Sequence, residues 1–166
     1  MIKFTENKNE IIALWHTVFG DNEEEINYFL ENCKHKTCLG YFEGEKLLSM
    51  LFLVDCEYGG VSGKYIYAVA TYEQCRGRGY ASALVDFAKG APCGFLWLIP
   101  ANEGLIDYYE NLGFKPKFEP LSEYRESIVF NEIDGVKSYL YEGCELKNPL
   151  ALFISLRVKN FRRLNF

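Results

Sequence analysis

Arginine and glycine alternate at residues 76–79, near the middle of the sequence. The apolar run before them, residues 65–70, predicts a β-strand, and the spacing of apolar residues over 80–88 predicts a helix. The first amides of a helix have no partners inside it, and the positive end of the helix dipole attracts anions. Glycines let the backbone approach a ligand closely, and the arginines add positive charge. This stretch therefore predicts a cradle for a pyrophosphate.

The glycine segment matches neither of two widespread nucleotide-binding fingerprints. A Walker loop requires Gly-x4-Gly-Lys-Ser/Thr, which the sequence lacks. A dinucleotide fingerprint requires a third glycine three residues after Gly79, and that position is Ser82. A glycine-rich turn that only caps a helix is the alternative explanation for such a short motif.

The same segment resembles the cofactor-binding signature of the GCN5-related N-acetyltransferase (GNAT) family, Arg/Gln-x-x-Gly-x-Gly/Ala, through Arg76, Gly79 and Ala81. Residues 102–114 resemble the family's second signature segment. There an asparagine opens a predicted helix, a tyrosine follows seven residues later, and Leu-Gly-Phe closes the helix. An amphipathic helix with a core tyrosine would explain this segment alone. Two segments in the family's order favour the resemblance, which covers about residues 37–117.

The resemblance implies acetyl-CoA as co-substrate and direct transfer of its acetyl group to a primary amine of a small molecule or peptide, in a ternary complex. Tyr109 is then expected near the thioester sulfur as the catalytic general acid or hydrogen-bond donor, since a phenol with a pKa of about 10 can donate to a thiolate. The residues expected to contact the cofactor are Val69, Ala70, Thr71, Arg76, Gly77, Arg78, Gly79, Tyr80, Ala81 and Asn102.

Main-chain groups account for most of these expected contacts. The amides of residues 77–81 would hold the pyrophosphate, and the backbone of residues 69–71 would pair with the pantetheine arm and offer one amide to the thioester oxygen. Asn102 would contact the same arm. A coenzyme-A-binding sensor or interaction module without turnover is the alternative function on this fold.

The sequence leaves the general base open. Many members of the family carry a carboxylate on the strand before the glycine segment, but residues 61–70 include none. Glu73 in the turn, Asp55 and Glu57 on the preceding strand, and water relayed through backbone carbonyls are the candidates. Glu73 also stands where the family often has a proline.

Periodicity and turn residues predict a mixed α/β fold around these motifs. Strands are predicted at residues 2–5, 37–42, 46–57, 61–71, 94–99, 126–130 and 150–158. Helices are predicted at residues 11–19, 26–33, 80–89, 105–112 and 136–141, with Asp21 as N-cap of the second and Glu24 three residues on. The strands on either side of the 80–89 helix are expected to be parallel. With the resemblance, this gives a GNAT-like fold: a central, twisted, mostly antiparallel sheet, helices on both faces and one parallel strand pair at the cofactor site.

The length of 166 residues predicts a single domain. The resemblance implies that this domain, residues 1–166, is an acetyltransferase domain. No apolar run approaches the ~20 residues of a membrane span, and the first residues do not suit a signal peptide, so a cytoplasmic location without membrane partners is expected. The net charge of −5 argues against nucleic acid as a partner and favours a cationic substrate such as an amine.

Metal binding is not predicted. Cys33, His35 and Cys38 lie close together but lack a second pair at zinc spacing, and the six cysteines are scattered as expected of reduced thiols. Neither histidine is assigned a catalytic role. The sequence leaves open the acceptor amine, the role of residues 118–166 and the oligomeric state, a homodimer included.

Overall fold

Eight strands and five helices lie within the part of the chain that the computed structural model describes, namely residues 1–118, 127–133, 135–142, 144–146 and 150–156. The strands are β1 (Ile2–Thr5), β2 (Lys36–Glu43), β3 (Lys46–Tyr58), β4 (Val61–Thr71), β5 (Phe95–Leu98), β6 (Lys115–Phe118), β7 (Ile128–Phe130) and β8 (Ala151–Ser155). The helices are α1 (Lys8–Phe19), α2 (Glu23–Asn32), α3 (Tyr80–Ala88), α4 (Gly104–Asn111) and α5 (Lys137–Tyr141), with a 3-10 turn at Glu73–Cys75.

All eight strands belong to one sheet, in the order β1-β2-β3-β4-β5-β8-β6, with β7 paired to the far end of β3. Strands β1 to β4 form the predicted antiparallel meander. Strands β4 and β5 are the only parallel pair among the described strands, and α3 connects them. This confirms the mixed α/β fold with a mostly antiparallel sheet and one parallel pair at the glycine segment.

Helices cover both faces of the sheet, and this explains why β3 is apolar throughout its middle. Met50, Phe52 and Val54 belong to the core on the side of α1 and α2. Leu51 and Leu53, which alternate with them, belong to the core on the side of α3 and α4. A strand that is buried on both faces shows a continuous apolar run instead of alternation.

The start of α2 differs by one residue from the prediction that Asp21 is its N-cap. The N-cap is Asn22, whose side chain accepts a hydrogen bond from the Glu25 amide at 2.9 Å, while the Glu25 carboxylate accepts one from the Asn22 amide at 3.0 Å. This is a capping box. The Asp21 carboxylate instead accepts a hydrogen bond from Nε1 of Trp15 at 2.8 Å.

Strand β6 has no counterpart among the predicted strands. It pairs with β8 and forms the edge of the sheet, where Pro116 is tolerated because an edge strand does not need every amide. Strands β7 and β8 and helix α5 confirm three elements predicted after residue 118, with β7 beginning at Ile128 and β8 ending at Ser155. Residue 126 and the basic stretch 157–166 lie outside the described residues. Within the described ranges, no helix combines the length and apolar character needed to cross a membrane.

Candidate active site

A gap opens between the two parallel strands on the side of their carboxyl ends. Pairing between β4 and β5 stops at Tyr65 and Trp97, whereas β4 continues to Thr71. From Ile66 onward, the edge of β4 that faces β5 has no ladder partner among the described strands. Backbone groups at such an edge are free to pair with an extended ligand. Ligands of sheets with crossover connections bind at this end of the strands.

A β-bulge in β4 lies beside the gap. Tyr67 pairs with Phe52 and Ala70 with Met50, so β4 carries one residue more than β3 between these pairs. Ala68 has a φ of 53°, a left-handed conformation that costs a residue with a Cβ roughly 1–2 kcal/mol. The pairing on both sides of the bulge holds this conformation in place, and the bulge redirects the backbone that lines the gap.

The glycine segment has the backbone geometry of an anion cradle. Gly77 and Gly79 both have φ of 79°, a conformation that glycine adopts without strain, and a Cβ at either position would meet no protein atom within 4 Å. Within the described chain, the amides of residues 77–82 donate to no backbone carbonyl, and the first to do so is that of Ala83, to Gly79 at 3.0 Å. Six consecutive amides at the start of α3 are therefore available to a ligand.

The two arginines of the segment are exposed. Arg76 donates from Nε to the carbonyl oxygen of Thr71 at 3.2 Å, which braces the turn between β4 and α3. The hydroxyl of Thr71 is 2.7 Å from that of Ser49 on β3. Tyr80, the first residue of α3, stacks on Tyr41 of β2 with 4.1 Å between ring centroids. These contacts fix the cradle to the sheet.

Tyr109 lies on α4, and only 5% of its surface is exposed. Its ring contacts Tyr108 and Phe114. No described protein group forms a hydrogen bond with its hydroxyl, and the residue lines a cavity of about 350 Å³ beside the gap. Burial, and to a smaller extent the neighbouring Tyr108, raise the pKa of Tyr109 above its ordinary value. The hydroxyl therefore keeps its proton at neutral pH and can donate it in a hydrogen bond.

The start of α4 is stabilised by Asn102. Its side-chain oxygen accepts a hydrogen bond from the amide of Leu105 at 3.2 Å, and the helix begins at Gly104. The N-cap position itself is Glu103, so Asn102 lies one residue earlier than a helix-opening residue would. A further contact, unforeseen from the sequence, joins the hydroxyls of Ser82 on α3 and Tyr108 on α4 at 2.7 Å.

The cavity has walls from several parts of the chain. Of the expected site residues, it brings together Val69 and Tyr109, whereas Ala70 is buried in the sheet and the glycine segment lies outside the lining. One of its walls consists of residues at the β4 bulge and of residues at and after the end of β5. Its aromatic lining consists of Trp15, Phe19, Tyr65, Tyr67, Tyr109, Tyr139 and Tyr141.

Three carboxylates that sequence reasoning missed also line the cavity: Asp21, Glu25 and Glu142. Asp21 and Glu25 come from the start of α2, and Glu142 follows α5. No local motif relates these positions, because the fold brings them together from segments more than 100 residues apart. In the sequence, only Asp21 was singled out, and then as the N-cap of α2 rather than as a ligand-binding residue.

The three carboxylates considered as general base from the sequence do not line this cavity. Asp55 forms an ion pair with Lys64, opposite the early part of β4. Glu57 lies further towards the end of β3 that pairs with β7. Glu73 is exposed on the 3-10 turn. In the described ranges, no group of three or more His, Cys, Asp or Glu side chains is arranged to hold a metal ion.

Comparison with known proteins defines the class to which this fold and site belong. The sequence profile of a family described as an acetyltransferase (GNAT) domain matches residues 4–116 of this chain, well over half of its length. The chain therefore belongs to the GNAT acetyltransferase family. No curated protein sequence matches it.

Solved structures share the fold at low sequence identity. A Bacillus subtilis acetyltransferase in complex with CoA aligns over 94% of this chain and 98% of its own, with 14% identity and a TM-score of 0.62. A GNAT family acetyltransferase from Elizabethkingia anophelis with acetyl-CoA bound gives the same TM-score and identity over 94% and 97%. A probable N-acyltransferase from Enterococcus faecalis is 24% identical over 71% of this chain, which spans about a third of that protein (32%), with a TM-score of 0.58.

Proposed function

We propose that this chain is an N-acetyltransferase that moves the acetyl group of acetyl-CoA directly to a primary amine. The observation that carries the proposal is the gap between β4 and β5. The amides of residues 77–82, beyond the end of β4, have no backbone partner in the described chain. Beside the gap lies the buried Tyr109, whose hydroxyl has no hydrogen-bond partner among the described residues. Membership of the GNAT family and the two fold neighbours crystallised with CoA or acetyl-CoA support the proposal.

Acetyl-CoA fits the chemistry of the residues present. Its pyrophosphate is an anion suited to the six free amides and to the charge of Arg76 and Arg78. Its pantetheine arm offers amide groups that can pair with the free edge of β4 around residues 69–71. Open space at Gly77 and Gly79 allows the phosphates to approach the backbone.

The reaction forms one bond and breaks one. The amine nitrogen attacks the thioester carbonyl carbon, and the bond from that carbon to sulfur breaks. A backbone amide at the Ala68 bulge donates to the carbonyl oxygen as negative charge develops there, a contribution of about 3 kcal/mol in other enzymes. The leaving sulfur accepts a hydrogen bond from Tyr109, whose raised pKa favours sharing its proton over losing it. The proton released by the amine leaves through water to the thiolate or the solvent.

The function is tested by mixing the protein with acetyl-CoA and a panel of amines and measuring the release of free thiol. Binding of CoA is measured in parallel by calorimetry. Release of thiol that depends on the amine supports the proposal. Tight CoA binding without transfer to any amine of the panel would instead support a CoA-binding sensor module, and absence of both would overturn either function.

A further inference from the structure

Three carboxylates give the cavity beside the gap a negative charge. Asp21, Glu25 and Glu142 line it, and its described lining residues include no Lys, Arg or His. Asp21 and Glu25 accept hydrogen bonds from neutral groups, the indole of Trp15 and a helix-capping amide. Within the described residues, none of the three carboxylates forms an ion pair. A ligand with positive charge would supply the missing partner.

Aromatic rings line the same cavity as these carboxylates. Trp15 and Tyr67 meet edge to face with 5.8 Å between ring centroids, and both line the cavity with Tyr139 and Tyr141. The faces of aromatic rings attract cations, most strongly where water is excluded. Carboxylates and rings together suit an ammonium group on an aliphatic chain, since the rings also provide apolar contact for the methylene groups.

The carboxylates and the unpartnered hydroxyl lie on different sides of the sheet. Asp21 accepts a hydrogen bond from Trp15, which with Tyr67 belongs to the core on the side of α1 and α2, whereas Tyr109 belongs to the core on the side of α3 and α4. Burial raises the pKa of Tyr67, and Asp21 and Glu142 add to this effect. The pKa of Tyr109 is raised by burial and by Tyr108, and no carboxylate contributes to that shift. Tyr109 is buried, lines the same cavity and has no hydrogen-bond partner among the described residues. The cavity thus has an anionic end and an uncharged end.

This division matters because an amine attacks only when it has lost its proton. An ammonium beside carboxylates keeps its proton, since nearby negative charge favours the charged form. The reacting amine therefore belongs at the uncharged end, near Tyr109 and the Ala68 bulge. The carboxylates are left for a second cationic group that stays protonated.

We propose, resting on the function proposed above, that the acceptor is an aliphatic diamine or polyamine. One amine of the acceptor is acetylated at the Tyr109 end while a second ammonium lies among Asp21, Glu25 and Glu142. Acceptors with one amine lack the second contact. Acceptors that carry a carboxylate at that position are repelled.

Binding to the full chain saturated with CoA tests this substrate class separately from turnover. Calorimetry compares putrescine, butylamine and γ-aminobutyrate, which have chains of similar length and differ in the group at one end. Putrescine is expected to bind about tenfold more tightly than butylamine, as one ion pair with a cation–π contact would give. Equal affinities for putrescine and butylamine, or binding of γ-aminobutyrate as tight as that of putrescine, would overturn the inference.

Charge-removing variants test which residues provide the preference. E25Q and E142Q are expected to bring the ratio of putrescine affinity to butylamine affinity close to unity. E25Q should not disturb the start of α2, because the glutamine oxygen can still accept the capping hydrogen bond from the Asn22 amide. E24Q on the same helix is the matched control, since Glu24 and Glu25 are both exposed but only Glu25 lines the cavity. A ratio that falls equally in E24Q, or in none of the variants, contradicts the assignment. Preferential putrescine binding without thiol release from acetyl-CoA would support this binding site and refute the proposed function.

Discussion

The hydroxyls of Ser82 and Tyr108 lie 2.7 Å apart and join the start of α3 to α4. Helix α3 follows the glycine segment, and α4 carries Tyr109 next to Tyr108. This hydrogen bond therefore connects the proposed pyrophosphate cradle to α4. Helix α4 carries Tyr109, the proposed hydrogen-bond donor to the leaving sulfur. The hydrogen bond links two parts of the site that lie on opposite sides of β5 in the sequence.

Replacing Tyr108 by Phe removes this link. We expect the free energy of unfolding to fall by about 1 kcal/mol, the value of one hydrogen bond that water partly replaces. The KM for acetyl-CoA should rise more than kcat falls, because the cradle and α4 lose their fixed spacing. Urea unfolding and steady-state kinetics measure both. Y28F is the control, since Tyr28 is exposed and its hydroxyl has no hydrogen-bond partner in the described residues. Unchanged stability and KM in Y108F would show that the link is dispensable.

Replacing Gly79 by Ala tests the cradle. Its φ of 79° makes a Cβ unfavourable by about 1 kcal/mol, although no protein atom lies within 4 Å of the added carbon. Gly20 is a matched control with φ of 80° and the same open space, at the end of α1. Both variants should lose similar stability in urea unfolding. Only G79A should weaken CoA binding, by about tenfold or more, because the methyl group occupies space proposed for the phosphates. Equal CoA affinities in the two variants would rule out a cradle at this glycine.

Replacing Tyr109 by Phe removes the proposed donor to the leaving sulfur while keeping the ring. We expect kcat to fall about 100-fold, as for loss of one hydrogen bond that forms in the transition state, with little change in CoA affinity. Single-turnover thiol release and calorimetry separate the two effects. If Y109F transfers acetyl groups at the rate of the unmodified protein, the hydroxyl has no part in catalysis.

Stability should fall with rising pH above about 9 because several thiols are buried in the core. Burial raises the pKa of Cys33 from 9.0 to about 11, and those of Cys38 and Cys56 from 9.0 to about 12. Between these values the unfolded chain releases the protons while the folded protein keeps them, so the free energy of unfolding declines as pH rises. The largest slope is about 1.4 kcal/mol per pH unit for each thiol. Urea unfolding with a reductant at pH values from about 8 to about 10 measures the decline, which should be shallower in C38A. A free energy of unfolding that stays constant over this range would contradict the prediction.

The sequence predicted correctly those elements that depend on residues close together in the chain. The glycines at 77 and 79 and the apolar face of α3 occupy a few neighbouring residues, and these residues alone located the glycine segment. The N-cap of α2 was placed one residue early because Asp21 with Glu24 and Asn22 with Glu25 both satisfy the same pattern. Strand β6 was missed because Pro116 and its charged neighbours resemble a loop when the pairing with β8 is not known.

The anionic end of the cavity could not be predicted in this way. Asp21 and Glu142 approach Tyr67 only after the sheet and α5 have formed, and nothing near either residue in the sequence indicates a ligand. The bulge at Ala68 is equally hidden, since alanine has no preference for a positive φ. Both features arise from long-range packing.

The position of β8 determines when the site can be completed during synthesis. Leu96 of β5 pairs with Ile154 of β8, so the strand that borders the gap acquires its second neighbour from a much later part of the chain. The glycine segment and α4 therefore leave the ribosome well before β5 can pair with β8. Such distant pairing slows folding. We therefore expect nascent chains that stop before residue 151 to expose the apolar surface of β5 to chaperones.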